Sequence, residues 1–256
     1  MPNIFIVLGN LPFPMQRAIK RSLSWIGRTL QIVPIGSLLS DDVRRRLPHE
    51  DIQIIFDVGA NVGQSAKGFV VNYPNATIYS FEPSPDTFSK LKSATQHTKR
   101  IRTFNLAFGN RAAVLRFDCN DSASERHHIA KNQLDSTLPC VQVTTIDSFC
   151  VEKNIHCIDY LKIDTEGHDL SVLAGAENML RTNAIGVVVV ECSMNPDNDF
   201  HVAFSRIYDL MSLNGYRVFG IYEQVEEIHA MLPNIRRANV AFLSPHAIQR
   251  NRRTEL

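Results

Sequence analysis

The sequence predicts an α/β fold in which a mostly parallel sheet carries helices on both faces. From residue 51 onward, short β-branched or aromatic runs alternate with segments whose apolar residues recur at helical spacing. Because each helix carries the chain back across the sheet, we expect successive strands to run parallel. The chain has 256 residues, 44% hydrophobic and 21% charged, so it can bury the core of such a domain.

Three parts can be distinguished along the chain. Residues 1–50 predict a helical accessory segment, residues 51–246 carry the alternating pattern of the domain, and residues 247–256 form a basic tail. Four apolar residues of the accessory segment form one helical stripe opposite a basic face: Ile19, Leu23, Ile26 and Leu30. This helix either packs on the domain with its basic face solvated, or acts as a lid, a dimer arm or a membrane-surface helix.

Strands and helices can be placed from these patterns. A polar helical piece is predicted before the domain, at residues 41–48. Strands are predicted at residues 52–58, 77–82, 101–105, 160–164, 185–191, 216–222 and 239–243. Helices are predicted at residues 64–72, 85–93, 170–181 and 201–213.

The alternation lapses between residues 107 and 145. Residues 114–117 and 141–145 predict two short extra strands, and residues 120–137 between them are polar and rich in Ser, His and charge. A long insertion of this kind is either a substrate loop or a mobile surface loop. Its two adjacent histidines have no acidic or cysteine partner at a metal-ligand spacing, so we expect them to be solvated.

The first domain strand runs into a glycine turn that opens a helix. Gly59 and Gly63 follow Asp57, and glycine lets a ligand approach the backbone closely. A phosphate loop would need Gly-Lys-Ser/Thr, which is absent, and a dinucleotide turn would need a glycine where Asn61 stands. S-adenosylmethionine is the third candidate, because its carboxylate would suit the helix terminus and its ammonium would suit Asp57.

An acidic residue at the end of the second domain strand supports a nucleoside ligand. Glu82 follows Gly63 at close to the ~20-residue spacing at which a carboxylate accepts ribose hydroxyls in such folds. The alternative interpretation is an α/β turn that binds no ligand.

The second informative stretch surrounds the strand predicted at residues 160–164. Asp164 falls at the carboxyl end of that strand, where open α/β sheets bind ligands, and Glu166 and His168 follow in the loop. The next strand ends in Glu191. Carboxylates at two strand ends either form a site or only tie down loop backbone.

Composition argues against several classes of protein. The formal net charge of +1 provides no field for binding nucleic acid, so we expect no such partner. The five cysteines show no C-x-x-C spacing, which argues against a zinc or redox motif and favours a reducing, cytoplasmic compartment. No apolar run approaches the ~20 residues that cross a bilayer, so we expect no transmembrane segment.

Five motifs in this order resemble those of the FkbM family of S-adenosylmethionine-dependent methyltransferases. They are Asp57-Val-Gly-Ala-Asn-Val-Gly-Gln64, Glu82-Pro-Ser-Pro, Thr144-Thr-Ile-Asp147, Leu161-Lys-Ile-Asp-Thr-Glu-Gly-His168 and Val172-Leu-Ala-Gly-Ala-Glu177. The resemblance covers residues 51–245, and Ile146 replaces the usual leucine of the third motif. Each motif alone is weak, whereas their shared order is specific.

The resemblance implies a Rossmann-like class I methyltransferase fold, with a seven-stranded sheet whose last strand runs antiparallel. It implies methyl transfer to a hydroxyl of a small molecule or glycan, such as a sugar or a polyketide-type natural product. Seven residues would hold the cofactor, in the order amino-acid end, ribose and adenine: Asp57, Gly59, Asn61 and Gly63; Glu82; Asn105 and Ala107.

The chemistry requires a proton acceptor for the hydroxyl. His168 is the first candidate, because histidine ordinarily titrates near pH ~6.5. Asp164 would orient it or act itself, and Glu166 is the third candidate. The alternative for His168 is a loop histidine that only fixes backbone. Alternatively, Asp164 and Glu191 bind Mg²⁺ together with a substrate diol, although no third protein ligand is evident.

Three other functions compete with this interpretation. A nucleic-acid methyltransferase would be expected to carry Asn/Asp-Pro-Pro-aromatic after the fourth strand, where this chain has Asp164-Thr-Glu-Gly. A nicotinamide-dependent oxidoreductase is disfavoured, because this chain lacks the middle glycine of a dinucleotide turn and has no Tyr-x-x-x-Lys pair. A non-catalytic module that keeps S-adenosylmethionine as a structural ligand is argued against by the intact acidic residues.

Overall fold

The computed structural model describes residues 35–118, 128–129, 140–195, 197–198, 200–227 and 233–252. The apolar stripe predicted in the accessory segment and most of the predicted 120–137 loop lie outside the described residues. No helix in the described residues is both long and apolar enough to cross a bilayer.

The described elements alternate as predicted. The strands are β1 Ile54–Val58, β2 Thr77–Phe81, β3 Ile101–Phe104, β4 Ala107–Phe108, β5 Ala113–Asp118, β6 His128–Ile129, β7 Cys140–Thr144, β8 Ile158–Ile163, β9 Ile185–Ser193, β10 Arg217–Glu226 and β11 Ile235–Leu243. The helices are α1 Leu39–Arg46, α2 Gln64–Asn72, α3 Pro85–Thr95, α4 Ile146–Lys153, α5 Asp169–Ala174, α6 Glu177–Arg181, α7 Phe204–Leu213 and α8 Pro245–Arg250.

Seven strands form the main sheet, in the order β10-β11-β9-β8-β1-β2-β3. All pairs among β3, β2, β1, β8 and β9 are parallel, whereas β11 runs antiparallel to both of its neighbours. The predicted class I sheet and its antiparallel last strand are therefore confirmed. The strand order reverses between β1 and β8, and a ligand crevice is expected at such a point.

Two apolar cores cover the two faces of the sheet. One core contains a cluster of phenylalanine rings whose neighbouring centroids lie 4.6–5.8 Å apart: Phe56, Phe81, Phe104, Phe108 and Phe149. Removing one such buried ring costs about 3–5 kcal/mol. Phe108 of this cluster also lines a cleft at the carboxyl ends of the strands.

The two predicted extra strands are confirmed as β5 and β7, which pair antiparallel. With β4 and β6 they form a second, four-stranded sheet. Ala113, Leu115 and Val143 of this sheet line the cleft beside the main sheet. These residues of β5 and β7 form an apolar wall of the cleft.

The single helix predicted at residues 170–181 is wrong, because the chain forms α5 and α6 with a break between them. A Cβ on Gly175 would collide with the carbonyl oxygen of Gly109, so close packing occurs at the break. The Asp147 carboxylate accepts hydrogen bonds from the backbone N–H groups of Asn178 and Met179 at 2.9 and 3.1 Å. A new helix start is therefore stabilised there.

Helix α4 was not predicted from the sequence. Its start is capped by Thr145, whose side chain accepts a hydrogen bond from the Ser148 backbone at 3.0 Å. Its end is marked by Asn154 in the left-handed conformation. The sequence contains both cap residues, but the apolar residues between them show no clear helical period, so the pattern predicts no helix there.

Candidate functional site

A cleft of about 280 Å³ lies at the carboxyl ends of the central strands. Of the predicted cofactor residues, Gly59, Asn61, Glu82 and Ala107 line it. The three predicted catalytic residues, Asp164, Glu166 and His168, line it as well. Asp57, Gly63 and Asn105 are not part of the lining of this cleft.

The glycine turn is held between β2 and β8. The backbone N–H groups of Gly59 and Ala60 both donate to the Phe81 carbonyl, at 3.0 and 2.9 Å. Gly59 has φ +78°, and a Cβ there would collide with the carbonyl oxygen of Asp164. Glycine is required at this position by its conformation and by the close approach of the two backbones.

Gly63 contributes to packing at the start of α2. Its φ is +91°, and a Cβ there would lie 3.0 Å from Leu91 Cδ1 and 3.2 Å from Thr95 Cγ2. This glycine therefore lets α3 pack closely against the beginning of α2.

Glu82 is held at the edge of the cleft by two backbone donors. Its Oε2 accepts from the Asn61 N–H at 3.0 Å, and its Oε1 accepts from the Ser84 N–H at 2.9 Å. Burial raises the pKa of Glu82 to about 7, although both hydrogen bonds oppose this rise. Because a carboxylate oxygen has two lone pairs, each oxygen can accept one further hydrogen bond.

Asn105 supports the segment that carries Glu82. Its side-chain amide donates to the carbonyl oxygens of Glu82 and Pro83, at 2.9 and 2.8 Å. It fixes the backbone behind the cleft, whereas Ala107 in β4 forms part of the cleft wall.

A buried charge cluster lies beneath the glycine turn. The register of β1 and β8 pairs Asp57 with Lys162, whose Nζ lies 3.7 Å from Asp57 Oδ1 and 3.1 Å from Asp164 Oδ2. Within the described residues, neither oxygen of the fully buried Asp57 has a hydrogen-bond partner. Two carboxylates and one ammonium give this cluster a negative balance that favours a bound cation.

The pKa values of the two carboxyl groups in this cluster are shifted in opposite directions. Burial raises the pKa of Asp57 to about 6, although Lys162 opposes the rise. Burial also raises the pKa of Asp164, but the Lys162 ammonium outweighs it, so the pKa lies below its ordinary value. Asp164 is therefore ionised at neutral pH.

The loop after β8 is wound around the Asp169 carboxylate. This carboxylate accepts from the Thr165 N–H and hydroxyl, at 2.9 and 3.0 Å, and from the Gly167 N–H at 3.2 Å. Glu166 has the left-handed φ of +52°, which the loop enforces. This hydrogen-bonded loop carries both Glu166 and His168, which line the cleft.

His201, which the sequence does not single out, lies between two carboxylates. Its Nε2 is 2.8 Å from Glu191 Oε2 and 3.7 Å from Glu166 Oε2. Arg237 binds the other oxygen of Glu191. The structure thus brings Glu191 together with Glu166 and His201, whereas Asp164 pairs with Lys162. No metal-ligand spacing in the sequence indicated His201, because it reaches the cluster only through the fold.

Residues 57–218 match the family model described as the methyltransferase FkbM domain. The chain is 23% identical to the hexuronic acid methyltransferase AglP of Haloferax volcanii, over 57% of this chain and 59% of AglP. It is 25% identical to the 2-O-methyltransferase NoeI of Sinorhizobium fredii, over 50% of this chain and 58% of NoeI. It is 26% identical to the 31-O-demethyl-FK506 methyltransferase FkbM of Streptomyces tacrolimicus, over 49% of this chain and 60% of that protein. The chain therefore spans less than two thirds of the length of each of these relatives.

Proposed function

Because this chain belongs to the FkbM methyltransferase family, we propose that it transfers a methyl group from S-adenosylmethionine to a hydroxyl oxygen of a sugar or polyketide-type natural product. The observation that carries the proposal is Glu82, whose two oxygens are oriented by backbone N–H groups at the edge of the cleft. The acceptor class is supported by the three relatives, whose names specify a hexuronic acid, a 2-O position and 31-O-demethyl-FK506.

The residues around the glycine turn fit the cofactor. Glu82 would accept both ribose hydroxyls through its remaining lone pairs. Gly59 and Asn61 would let the backbone come close to the amino-acid end, and Ala107 would leave room beside the adenine. When bound, S-adenosylmethionine supplies a methyl group that is already activated on a sulfonium.

The remaining predicted cofactor residues would act without touching the cofactor. Asn105 holds the segment of Glu82 in place through two hydrogen bonds. Gly63 allows α2 to begin where it does. Asp57 would attract the positively charged cofactor through the negative balance of its cluster, since its own side chain is fully buried.

Methyl transfer also needs a base for the hydroxyl proton. We assign this role to His168, which lines the cleft on the same rigid loop as Glu166. Asp164 stays ionised beside Lys162 and contributes negative charge near His168. Glu166 is the second base candidate in this geometry, because burial raises its pKa towards the range in which a carboxylate accepts protons well.

Calorimetry with S-adenosylmethionine and, separately, with NADH tests the cofactor. We expect the former to bind and the latter not to bind; the reverse result would indicate an oxidoreductase. A methyl-release assay on uronic acid glycosides, neutral glycosides and macrolides then tests catalysis. Binding without turnover on every acceptor class would favour a non-catalytic binding module.

The cellular setting is part of the same proposal. A reducing, cytoplasmic compartment is supported by the free thiols of Cys150 and Cys192, both of which are buried. The absence of a nucleic-acid partner is supported by a net charge of only +1. Cell fractionation and a salt-dependent RNA-binding assay test these two statements.

A further inference from the structure

We propose that Glu166, Glu191 and His201 form a binding site for a divalent transition-metal cation beside the cleft. These residues come from the loop after β8, the end of β9 and the loop that follows it. The site differs from the Asp164–Glu191 pair that the sequence suggests for Mg²⁺. Asp164 forms an ion pair with Lys162 instead, and His201 supplies a nitrogen ligand.

The spacing of the three ligand atoms suits one small ion. One nitrogen and two oxygens lie within 4.8 Å of one another, with separations of 2.8 Å between His201 Nε2 and Glu191 Oε2, and 3.7 Å between His201 Nε2 and Glu166 Oε2. Metal–ligand bonds of roughly 2.0–2.2 Å place neighbouring ligand atoms about 3–3.5 Å apart. Small side-chain shifts would therefore close the site around an ion.

Two carboxylates leave this position negatively charged overall, even with the Arg237 guanidinium bound to one of them, and this charge favours a cation. The side chains of His201 and Glu191 are only 5% and 8% exposed, whereas that of Glu166 is 34% exposed and lines the cleft. Arg237 binds Glu191 Oε1 and leaves Oε2 directed at His201, as expected for a residue that orients a metal ligand. The remaining open side of the site faces the cleft through Glu166.

The donor set indicates the kind of metal. Mg²⁺ and Ca²⁺ prefer oxygen ligands alone, whereas one imidazole and two carboxylates suit Mn²⁺, Fe²⁺, Co²⁺ or Zn²⁺. Three protein ligands leave positions open for water or substrate, which is the pattern of catalytic rather than structural sites. We therefore choose Mn²⁺ as the probe.

Asn198 sets a condition on metal binding. Its Oδ1 accepts from the Phe200 and His201 backbone N–H groups at 2.9 and 3.3 Å, so its Nδ2 is the atom that lies 3.2 Å from His201 Nδ1. In this state Nδ1 accepts and Nε2 carries the proton that is donated to Glu191. A metal ion on Nε2 requires the proton to lie on Nδ1. The side-chain amide of Asn198 must then rotate so that its oxygen, rather than its NH₂ group, faces Nδ1.

This condition provides a gain-of-function variant. In Asn198→Asp, one carboxylate can accept the backbone N–H groups and the Nδ1 proton of His201 together. Such a carboxylate–histidine–metal arrangement changes metal affinity by about 10- to 100-fold. Asn198→Asp is therefore expected to bind Mn²⁺ at least tenfold more tightly than the wild type.

The chemical role of the ion rests on the proposed methyl transfer, whereas its binding does not. An ion at this position would take an acceptor hydroxyl into an open coordination position and lower its pKa, which makes the oxygen a better nucleophile. The hydroxyl proton would then pass to His168 in the cleft.

The test is calorimetry of the metal-stripped protein with Mn²⁺, supported by electron paramagnetic resonance. We expect one ion per chain, with binding weakened at least tenfold in His201→Ala and in Glu166→Gln, and strengthened in Asn198→Asp. Glu152→Gln removes an exposed carboxylate paired with Lys153 and is the matched control, in which binding is unchanged. S-adenosylmethionine binding, measured in the same samples, reports separately on the proposed function.

Two results would overturn the site. One is a wild-type protein and an Asn198→Asp variant that both fail to bind Mn²⁺ and Zn²⁺, which would leave a hydrogen-bonded Glu191–His201 pair. The other is Mn²⁺ binding that is unchanged in Glu166→Gln. Glu166 is partly exposed and its replacement nearly isosteric, so this variant decides the question even where His201→Ala fails to fold.

Discussion

Gly59 and Asp164 approach so closely that no side chain fits between them. The carbonyl oxygen of Asp164 occupies the place where a Cβ on Gly59 would lie, and the Asp164 N–H donates to the Val58 carbonyl at 3.0 Å. The glycine turn of the proposed cofactor site is therefore in direct contact with the start of the loop that carries Glu166 and His168. A change at this contact is expected to disturb both halves of the cleft.

Gly59→Ala is expected to destabilise the protein and to abolish S-adenosylmethionine binding. The left-handed conformation alone costs an alanine about 1–2 kcal/mol, and the collision with Asp164 adds to this. Gly63→Ala is the matched control, because its φ is also positive but its neighbours are the ends of flexible side chains. Thermal unfolding should show a clearly smaller loss in Gly63→Ala; equal losses would mean that the backbone contact is unimportant.

Glu82→Gln is expected to weaken S-adenosylmethionine binding by about 10- to 100-fold. Glutamine keeps the shape but offers only one acceptor oxygen, and a hydrogen bond to a charged group contributes about 1.5–3 kcal/mol. Calorimetry measures the change, with Glu152→Gln as a surface control. Unchanged affinity in Glu82→Gln would remove this residue from the cofactor site.

The contribution of Glu82 to the stability of the ligand-free protein is expected to fall as the pH rises from about 4 to about 8. Burial raises the pKa of Glu82 from 4.5 to about 7 in the folded state, so the folded protein binds more protons than the unfolded chain in this range. For Glu82 alone the loss is of the order of 3 kcal/mol. Asp57, with a pKa of about 6, acts in the same direction.

Urea unfolding at several pH values measures this dependence. Glu82→Gln is uncharged and should flatten the profile between pH ~5 and ~8 relative to the wild type. A profile that has the same slope in both proteins would show that Glu82 titrates as an ordinary exposed carboxylate.

His168→Ala is expected to lower the methyl-transfer rate by about 10²- to 10⁴-fold while S-adenosylmethionine binding is retained. The residue lines the cleft, and the loop that carries it is held by hydrogen bonds to the Asp169 carboxylate, so we expect the loop to survive the substitution. Single-turnover methyl transfer measures the rate. A kcat equal to that of the wild type would transfer the role to Glu166, whose replacement by Gln should then cause the loss.

Much of the fold followed from local pattern. The strands that become β1, β2 and β9 are rich in β-branched and aromatic residues, as expected for strands buried on both faces. The break between α5 and α6 was not predictable in this way, because it depends on Gly175 packing against Gly109 from a different part of the chain.

By itself, the sequence determined the seven strands of the main sheet, the glycine turn and the acidic residues that follow the strand ends. Because parallel strands bring their carboxyl ends to one edge, it also determined that these acidic residues lie at the same edge. Only the tertiary structure decided which of those residues meet. The β1–β8 register places Lys162 between Asp57 and Asp164, and the loop after β9 returns His201 to Glu191 and Glu166. Such partners are selected by strand register and loop path, which depend on packing across the whole sheet and leave no signal in residue spacing.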